Sequence, residues 1–350
     1  MSDMLQRYGR LITAYILLTC AVWVLGMVII PQLLMVDYSF WYIDEEAQQQ
    51  TWDRMDQIDA QMLKIDTQIE KLHDAGLQDD SADITKLNGD YKKLDDELTK
   101  LDAINKTPPK SYGLKNYMTL FKNTLHRSVF IKSIWASCVI TFFAFMICYP
   151  IAFYLAQTAK KQTTALLFLG LIIPYWVNEI LRTFAWLMIL SYNGFINTVL
   201  TKMGLIETPI DFLNGNVGVL IGMAYCYILF MVFPMFNTIQ TLDKNQIEAA
   251  RDLGCPWWRI HYRIVIPHAK PGIAVGCIMT FMLAMGTYAV PSILGGTSGI
   301  WFTQIIYSWF FDGGNWNQGS AYAFILLVMC VLFILFMLKV FRVKMEDIAK

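Results

Sequence analysis

Ionisable side chains inside long apolar runs are the residues of this sequence that are best placed to do chemistry. Glu179 and Arg182 lie three positions apart in one such run, so a helix there puts both on one face. A charged group at that depth needs a partner or water. Two interpretations stay open: a mutual ion pair that holds the fold, or a polar lining for a solute path.

Aromatic residues flank this pair and extend the second interpretation. Tyr175, Trp176 and Trp186 lie close to Glu179 in the sequence. A carboxylate beside such rings attracts a cation through charge and through cation–π interactions. We expect these residues, together with Arg182, to be candidates for a substrate path.

The other reactive residue types are scattered and predict neither a catalytic centre nor a metal site. Six of the seven cysteines lie singly in apolar runs and none forms a Cys-x-x-Cys pair, which favours packing roles. The four histidines are too far apart for a metal site or a base–nucleophile pair: His73, His126, His261 and His268. We therefore expect a protein that is not an enzyme and that holds no cofactor of its own.

Six apolar runs of membrane-spanning length must position these residues. Hydrophobic residues make up 56% of the chain and charged residues 16%, a composition typical of integral membrane proteins. The sequence thus predicts an all-α membrane protein, and its formal net charge of zero offers no case for nucleic-acid binding. The runs cover 11–36, 129–157, 164–190, 217–240, 271–294 and 321–341.

Basic residues are distributed unevenly around these spans and predict their orientation. They concentrate before span 1, between spans 2 and 3, between spans 4 and 5, and after span 6. The loops between spans 3 and 4 and between spans 5 and 6 carry Lys202 alone. By the positive-inside rule, both termini and the loop 241–270 are expected in the cytoplasm. Span 1 is ~25 residues long and lacks a cleavage pattern, so we expect it to be retained.

A charged segment, 37–128, joins spans 1 and 2 on the opposite side of the membrane. Turn formers at 74–81 separate two heptad seams, which predicts an antiparallel coiled-coil hairpin over about 50–107. Residues 47–107 hold 14 Asp and Glu against 8 Lys and Arg, a net charge of −6. This charge fits a solvated face, an attractor for a cationic ligand, or a docking surface for a binding protein. The seams are Met55, Ile58, Met62, Ile65, Ile69 and Leu72, and Ile84, Leu87, Tyr91, Leu94, Leu98 and Leu101.

The loop 241–270 carries the most informative pattern in the chain. In order, it contains Glu248, Ala249, Ala250, Gly254, Trp257, Trp258, Ile264, Pro267 and Pro271. The Glu-Ala-Ala triplet starts a short helix, the glycine allows a tight turn or a close backbone approach, and the prolines are expected to stop a second helix. Two short helices at a right angle would result, with the tryptophans as an apolar contact surface or an interfacial anchor. The simpler alternative is any amphipathic cytoplasmic helix–turn–helix.

This spacing resembles the EAA-x3-G-x9-I-x-L-P signature of ABC-importer permeases, with Ile266 in place of the usual leucine. The resemblance implies a coupling helix that lies in a groove of an ATPase subunit and passes its motion to the membrane helices. It also implies a type I importer with six transmembrane helices in each of two permease subunits. Its expected partners are a cytoplasmic ATPase dimer, which holds ATP and Mg²⁺, and a periplasmic substrate-binding protein.

Further stretches are similar to permeases of the spermidine/putrescine type, at 116–121, 149–156, 174–182, 290–296 and 315–321. The resemblance covers 112–342 well and span 1 loosely, and it leaves 47–110 without a counterpart. It implies a polyamine as solute, a distinct homologous chain as second permease subunit, and the bacterial inner membrane as location. The same fold serves importers of sulfate, thiamine or ferric ion. A non-transporting scaffold or sensor that signals through the hairpin is the alternative from another class.

The predicted organisation of the chain has four parts. Residues 1–36 form a cytoplasmic N-terminus and span 1, and 37–128 form the periplasmic segment with the hairpin. Residues 129–342 form the permease core, which contains spans 2–6 and the coupling loop. Residues 343–350 form a cytoplasmic tail.

Overall fold

A computed structural model of the chain describes residues 2–43, 45–74, 82–106, 110–214, 216–296 and 299–343. The chain divides into two compact units, Met1–Met118 and Thr119–Lys350. Residues 75–81 of the predicted hairpin turn and 344–350 of the predicted tail lie outside the described residues.

The first unit begins with a long apolar helix. Its parts are α1 (Ser2–Val24), a π-helical segment (Leu25–Ile29) and α2 (Ile30–Phe40). The stretch Leu11–Phe40 has a mean hydropathy of 2.3 and is long enough to cross a membrane. Pro31 falls in the first turn of α2, where its missing N–H costs least. The helix therefore continues four residues beyond the predicted apolar run.

Two long helices and a short antiparallel ribbon follow in the same unit. The helices are α3 (Glu45–Asp74) and α4 (Ala82–Lys106), and the strands are β1 (Trp41–Ile43) and β2 (Lys110–Tyr112). The ribbon pairs Trp41 with Tyr112 and Ile43 with Lys110, which closes the base of the helix pair. Asn116 reinforces it, since its side-chain amide donates to the carbonyl of Trp41 at 2.9 Å.

Contacts between α3 and α4 show that the two helices run antiparallel. The Trp52 indole donates to the Asn105 side chain at 2.8 Å, and Arg54 pairs with Glu97 at 2.9 Å. Ile58 is fully buried, and the other described seam residues are buried or half-buried. The predicted seams are therefore the inner sides of the two helices, while the supercoil of a coiled coil stays a prediction.

The second unit contains the remaining helices of the chain. An eight-residue helix, α5 (Lys115–Lys122), crosses the boundary between the units, and Asn123 then caps α6 by accepting from the backbone N–H of Leu125 at 3.0 Å. The rest are α6 (Thr124–Phe153) with a π segment (Tyr154–Thr158), α7 (Lys161–Trp176), α8 (Glu179–Leu190), α9 (Phe195–Lys202), α10 (Val217–Cys226), α11 (Ile228–Ile239), α12 (Lys244–Asp252), α13 (Trp257–Ile260), a π segment (His261–Val265), α14 (Ile266–Gly286), α15 (Ala289–Leu294), α16 (Phe302–Phe311) and α17 (Trp316–Phe341).

The core of the second unit forms where α14 packs against α6, α11 and α17. Gly272 and Gly276 allow α14 to approach α11 closely. A Cβ on Gly272 would overlap the Pro234 carbonyl, and a Cβ on Gly276 would lie 2.9 Å from the Met231 sulfur. Small residues at such contacts let membrane helices pack backbone to backbone. On the other side of α14, the Phe281 and Phe333 rings stack at 3.6 Å between centroids.

Within the described residues, five helices are long and apolar enough to cross a membrane, and six if α10 and α11, bent by 43°, form one span. The predicted count of six is therefore met with that bent pair, but two boundaries are wrong. The predicted span 164–190 is interrupted at 177–178, and the predicted span 271–294 is interrupted at 287–288. Polar side chains bond to the backbone at both interruptions: Asn178 accepts from the N–H of Ile180, and Thr303 donates to the carbonyl of Thr287.

Candidate functional site

Three interruptions in the apolar helices meet around one carboxylate. They are the α7/α8 break at 177–178, the α10/α11 bend at Tyr227, and the α14/α15 break at 287–288. Glu179 begins α8, and its carboxylate accepts hydrogen bonds from the Tyr227 hydroxyl at 3.1 Å and the Thr287 hydroxyl at 3.4 Å. We call Glu179, Tyr227 and Thr287 the break cluster. The N-terminus of α8 further favours the negative charge.

Polar side chains satisfy the backbone at two of these interruptions. Asn178 caps α8 by accepting from the N–H of Ile180 at 2.8 Å. The Tyr175 hydroxyl closes the α10/α11 bend, since it donates to the Cys226 carbonyl at 2.5 Å and accepts from the Leu229 N–H at 3.1 Å. Irregular backbone within a membrane is tolerated only with such compensation or in a wet cavity. The breaks are thus built features of the fold.

Arg182 is not the partner of Glu179. Both residues lie in the described part of the chain, and no ion pair joins them. The Arg182 guanidinium instead lies over the Tyr175 ring, 4.5 Å from its centroid. Its Nε and Nη1 atoms are buried without a hydrogen-bond partner. The interpretation of a mutual ion pair is therefore wrong, because Glu179 turns towards α10 and α14 while Arg182 turns back towards α7.

The other predicted path residues are placed unevenly. Tyr175 lies at the site, where it orders the α10/α11 bend. Trp176 is 78% exposed, and the Trp186 ring packs against Tyr225 at 5.2 Å between centroids. Sequence reasoning missed Tyr227 and Thr287, because neutral polar residues are common in apolar runs and neither stands near an obvious partner in the sequence.

The segment 241–270, which we call the coupling segment, begins with α12. Asp243 caps this helix by accepting from the Asn245 N–H at 3.0 Å. The helix ends in a Schellman motif, in which the Gly254 N–H donates to the Arg251 carbonyl at 2.9 Å and the Cys255 N–H to the Ala250 carbonyl at 3.0 Å. Gly254 has a φ of +74°, a conformation that favours glycine. A tight turn, not a close backbone approach within this chain, explains the glycine, since its Cβ would meet nothing within 4 Å.

The coupling segment has a buried side and an exposed side. Ile247 and Ile260 are buried in the core cluster that α14 organises. An apolar patch faces outwards and consists of Leu253, Trp257, Trp258 and Tyr262, which are 88%, 75%, 54% and 70% exposed. An exposed apolar patch on a short helix is typical of a protein interface.

The predicted coupling residues divide between these two sides. Those that are exposed are Glu248, Ala249, Gly254, Trp257, Trp258 and Pro267. Ala250 and Ile264 pack against the core, so they support the segment from beneath. This division follows the helical period, which places neighbours in sequence on different faces.

Pro267 and Pro271 do not stop the second helix, contrary to expectation. Residues Trp257–Gly286 form one helical stretch of 30 residues that contains both prolines. The π segment His261–Val265 lies directly before Pro267. Its wider turn moves the preceding carbonyls away from the proline ring, which removes the clash that normally ends a helix. The exposed patch is therefore joined to the core through continuous helix.

The cytoplasmic end predicted for span 2 holds the coupling segment on both sides. The Gln157 amide donates to the carbonyls of Ile239 at 2.7 Å and Leu242 at 3.1 Å, just ahead of α12. The Tyr149 hydroxyl is 2.8 Å from His261 Nδ1, just after α13. Sequence reasoning missed both residues. A glutamine inside a span was the available signal for the first, because an amide in lipid requires partners.

Comparisons with known proteins agree with this architecture. Residues 138–343 match the family described as binding-protein-dependent transport system inner membrane component. The spermidine/putrescine transport system permease protein PotB of Haemophilus influenzae is 35% identical over 221 residues, which are 63% of this chain and 77% of that protein. PotB of Escherichia coli K12 is 34% identical over 224 residues, 64% of this chain and 81% of its own.

Solved structures show the same fold at low sequence identity. A chain from the crystal structure of a bacterial alginate ABC transporter in complex with an alginate pentasaccharide-bound periplasmic protein superposes with a TM-score of 0.54 at 18% identity. The match covers 64% of this chain and 81% of that chain. Because the identity is low, this likeness concerns the fold alone.

Proposed function

The chain belongs to the family of binding-protein-dependent transport system inner membrane components, and on that basis we propose that it lines the path of a polyamine through the membrane. It is a permease subunit of an ABC importer. The identity of the transported solute is the part that we propose. The observation that supports a polyamine as the solute is the 35% identity with a spermidine/putrescine permease, of which 77% is covered.

The break cluster gives this solute a chemical basis. The Glu179 carboxylate is half-buried and held by two hydroxyl donors. An ammonium group carries three N–H donors, so it matches a carboxylate flanked by hydroxyl oxygens. Arg182 adds a positive charge nearby, but its guanidinium is drawn over the Tyr175 ring and away from the two hydroxyls. We assign Glu179 as the contact for the cation.

The coupling segment supplies the connection to ATP hydrolysis. We propose that Leu253, Trp257, Trp258 and Tyr262 lie in a groove of a cytoplasmic ATPase dimer, which binds ATP and Mg²⁺. Gln157 and Tyr149 then carry the displacement of this segment into α6. The complete importer contains a distinct homologous permease as second subunit and a periplasmic substrate-binding protein, in a bacterial inner membrane with both termini of this chain cytoplasmic.

Purification of the complex and measurement of uptake test the proposal. The chains that co-purify in mild detergent are identified by mass spectrometry, and the assembly is reconstituted with its binding protein. We expect ATP-dependent uptake of labelled spermidine or putrescine that excess sulfate, thiamine or ferric ion does not compete. Uptake of one of these other solutes in place of a polyamine would overturn the assignment, and a complex without an ATPase chain would overturn the transport mechanism.

A further inference from the structure

A cavity lies in the Thr119–Lys350 unit, and the residues of the break cluster do not line it. It has a volume of about 620 Å³ and opens between the first turn of α6 and the helix α16. Glu179, Tyr227 and Thr287 take no part in its lining. Nothing described so far uses this cavity, although α16 connects it with the break cluster. The Thr303 hydroxyl, in the first turn of α16, donates to the Thr287 carbonyl at 2.7 Å.

The charge of the cavity is negative. Asp312 ends α16 and lines the cavity, and no Lys or Arg is among the lining residues. The carboxylate is exposed and lies at the negative end of the helix dipole, where a cation is favoured. The other titratable lining residue, His126, has its Nδ1 engaged by the Tyr322 hydroxyl at 2.7 Å. Asp312 therefore sets the sign of the charge that the cavity attracts.

The walls of the cavity suit an alkyl chain. Leu125, Ile300 and Ile305 provide apolar surface, and Trp309 provides an aromatic ring. Packing fixes this ring, since it meets the His126 ring edge-on at 6.2 Å between centroids. A cation over an indole face gains from cation–π attraction. Methylene groups gain from burial against the aliphatic walls.

A polar group is also available to accept a hydrogen bond. The Ser308 hydroxyl lines the cavity and donates its proton to the Ile305 carbonyl at 2.9 Å. Its lone pairs are then the part of the hydroxyl that a ligand can use. The combination of a carboxylate, an acceptor hydroxyl, an indole ring and aliphatic walls matches an ammonium group on an alkyl chain.

We propose that this cavity is a second binding site of the subunit and that its ligand is an alkylammonium ion. That the ion is the transported polyamine rests on the proposed function. Asp312 and Thr303, whose hydroxyl donates to the carbonyl of Thr287 in the break cluster, lie at opposite ends of α16, about 14 Å apart at 1.5 Å per residue. A polyamine that passes from this cavity to the break cluster meets two carboxylates in turn, Asp312 and Glu179.

Thiol labelling tests the site without relying on transport. Ser308→Cys is introduced into the full complex after replacement of the exposed Cys20 and Cys138 by alanine. The variant is treated with 2-aminoethyl methanethiosulfonate, which is an alkylammonium, and with the neutral methyl methanethiosulfonate. We expect the cationic reagent to be favoured at least about fivefold beyond the ratio of the two reagents with a small free thiol, which is about 1 kcal/mol of preference. The ratio of the two rates removes any effect of Asp312 on the reactivity of the thiol itself.

Two further substitutions show which carboxylate causes the preference for the cationic reagent. Asp312→Asn should bring the ratio close to that of the free reagents with a small thiol, whereas Glu207→Gln removes an exposed carboxylate that does not line the cavity and should leave it unchanged. A ratio in the Ser308→Cys complex no greater than that of the free reagents, or a preference that survives Asp312→Asn, would overturn the site.

Protection by spermidine then tests the identity of the ligand. We expect millimolar spermidine to slow both labelling reactions in the Ser308→Cys complex. Loss of the preference in Asp312→Asn without any protection by spermidine would overturn the polyamine as ligand. A complex that shows preference and protection but takes up no polyamine would instead overturn the proposed function and leave the site intact.

Discussion

Substitution of Gly254 by alanine separates the docking of the coupling segment from its local stability. Gly254 has a φ of +74° and ends α12 in a Schellman motif. A left-handed backbone costs a residue with a Cβ about 1–2 kcal/mol. Among the residues that the structure describes, nothing lies within 4 Å of the added methyl, so no steric term adds to that strain.

Gly204 offers a matched control for this strain. It follows α9 with a φ of +70°, its N–H donates to the Thr201 carbonyl at 3.0 Å, and the Leu205 N–H donates to the Leu200 carbonyl at 3.0 Å. Its Cβ would also meet nothing within 4 Å. Gly204→Ala therefore carries the same cost of about 1–2 kcal/mol, which is a factor of roughly 5–30 in the local equilibrium.

The assay is ATP-driven uptake by the reconstituted complex, with ATP hydrolysis measured in parallel. We expect Gly204→Ala to keep uptake within about twofold of the parent, because its turn lies outside the coupling segment. Gly254→Ala should lower uptake at least about tenfold at an unchanged level of assembled complex, since the methyl occupies space that the ATPase groove requires. Gly254→Asp should be at least as severe.

Two results would refute this reasoning. An equal loss of uptake in Gly254→Ala and Gly204→Ala would assign the effect to backbone strain alone. Parent-level uptake in Gly254→Ala would show that the turn does not enter a groove.

Three other changes probe the path, the connection and the hairpin. Glu179→Gln should lower polyamine uptake by about 10–100-fold through loss of a charged hydrogen bond, and Arg182→Met should not rescue it; restored uptake in the double variant would contradict the solute contact. Gln157→Leu should raise the ATP hydrolysed per solute transported. The control Thr164→Val should not raise it, because the hydroxyl that it removes is bonded to Leu155 rather than to the coupling segment. The same ratio of ATP to solute in both variants would exclude Gln157 from coupling. Replacement of 50–107 by a Gly/Ser linker should keep basal ATPase activity but raise the binding-protein concentration for half-maximal stimulation, most at low salt, and an unchanged stimulation curve would make the hairpin a solvated insertion.

One carboxylate of the hairpin, Asp90, is held in its ionised form by a neighbouring lysine, which bears on the last of these measurements. Asp90 lies 2.9 Å from Lys93, and this lysine lowers the pKa of the carboxyl. A lowered pKa means that the ionised form persists to a lower pH than in a free side chain. The contribution of Asp90 to the salt dependence of docking should therefore be retained between neutral and mildly acidic pH.

Sequence reasoning predicted the features that depend on local pattern. Apolar runs of bilayer length indicate membrane spans whichever segments surround them. Only such a run can leave water for the lipid core without a large free-energy cost. The heptad seams around Ile58 and Met62 turned out to be the inner sides of α3 and α4, since a buried face must recur with the helical period. Gly254 likewise marked the end of α12, because capping depends on a few adjacent residues. The expectation that the Glu-Ala-Ala triplet starts this helix was wrong, since Asp243 caps α12 ahead of Lys244 and the triplet lies in its second half.

The positions of the helix breaks were decided by tertiary structure alone. Pro267 and Pro271 were expected to stop a helix, yet they lie within continuous helix, while the bend at Tyr227 and the break at 287–288 contain no proline. A break in an apolar helix needs partners for the freed backbone groups, and these partners can come from another helix. Tyr175 does this for the bend at Tyr227, from a position 52 residues earlier.

The same reason explains why the pairing of Glu179 escaped a sequence-based account. Glu179 and Arg182 are neighbours on one helix face, and their spacing suggested that they hold each other. Packing instead brings the hydroxyls of Tyr227 and Thr287 to the carboxylate, 48 and 108 residues away along the chain. The sequence alone therefore determined that this membrane protein carries a carboxylate within an apolar run, and the packing of α8, α10 and α14 decided what the carboxylate binds, because hydrogen-bond partners are set by distance in space.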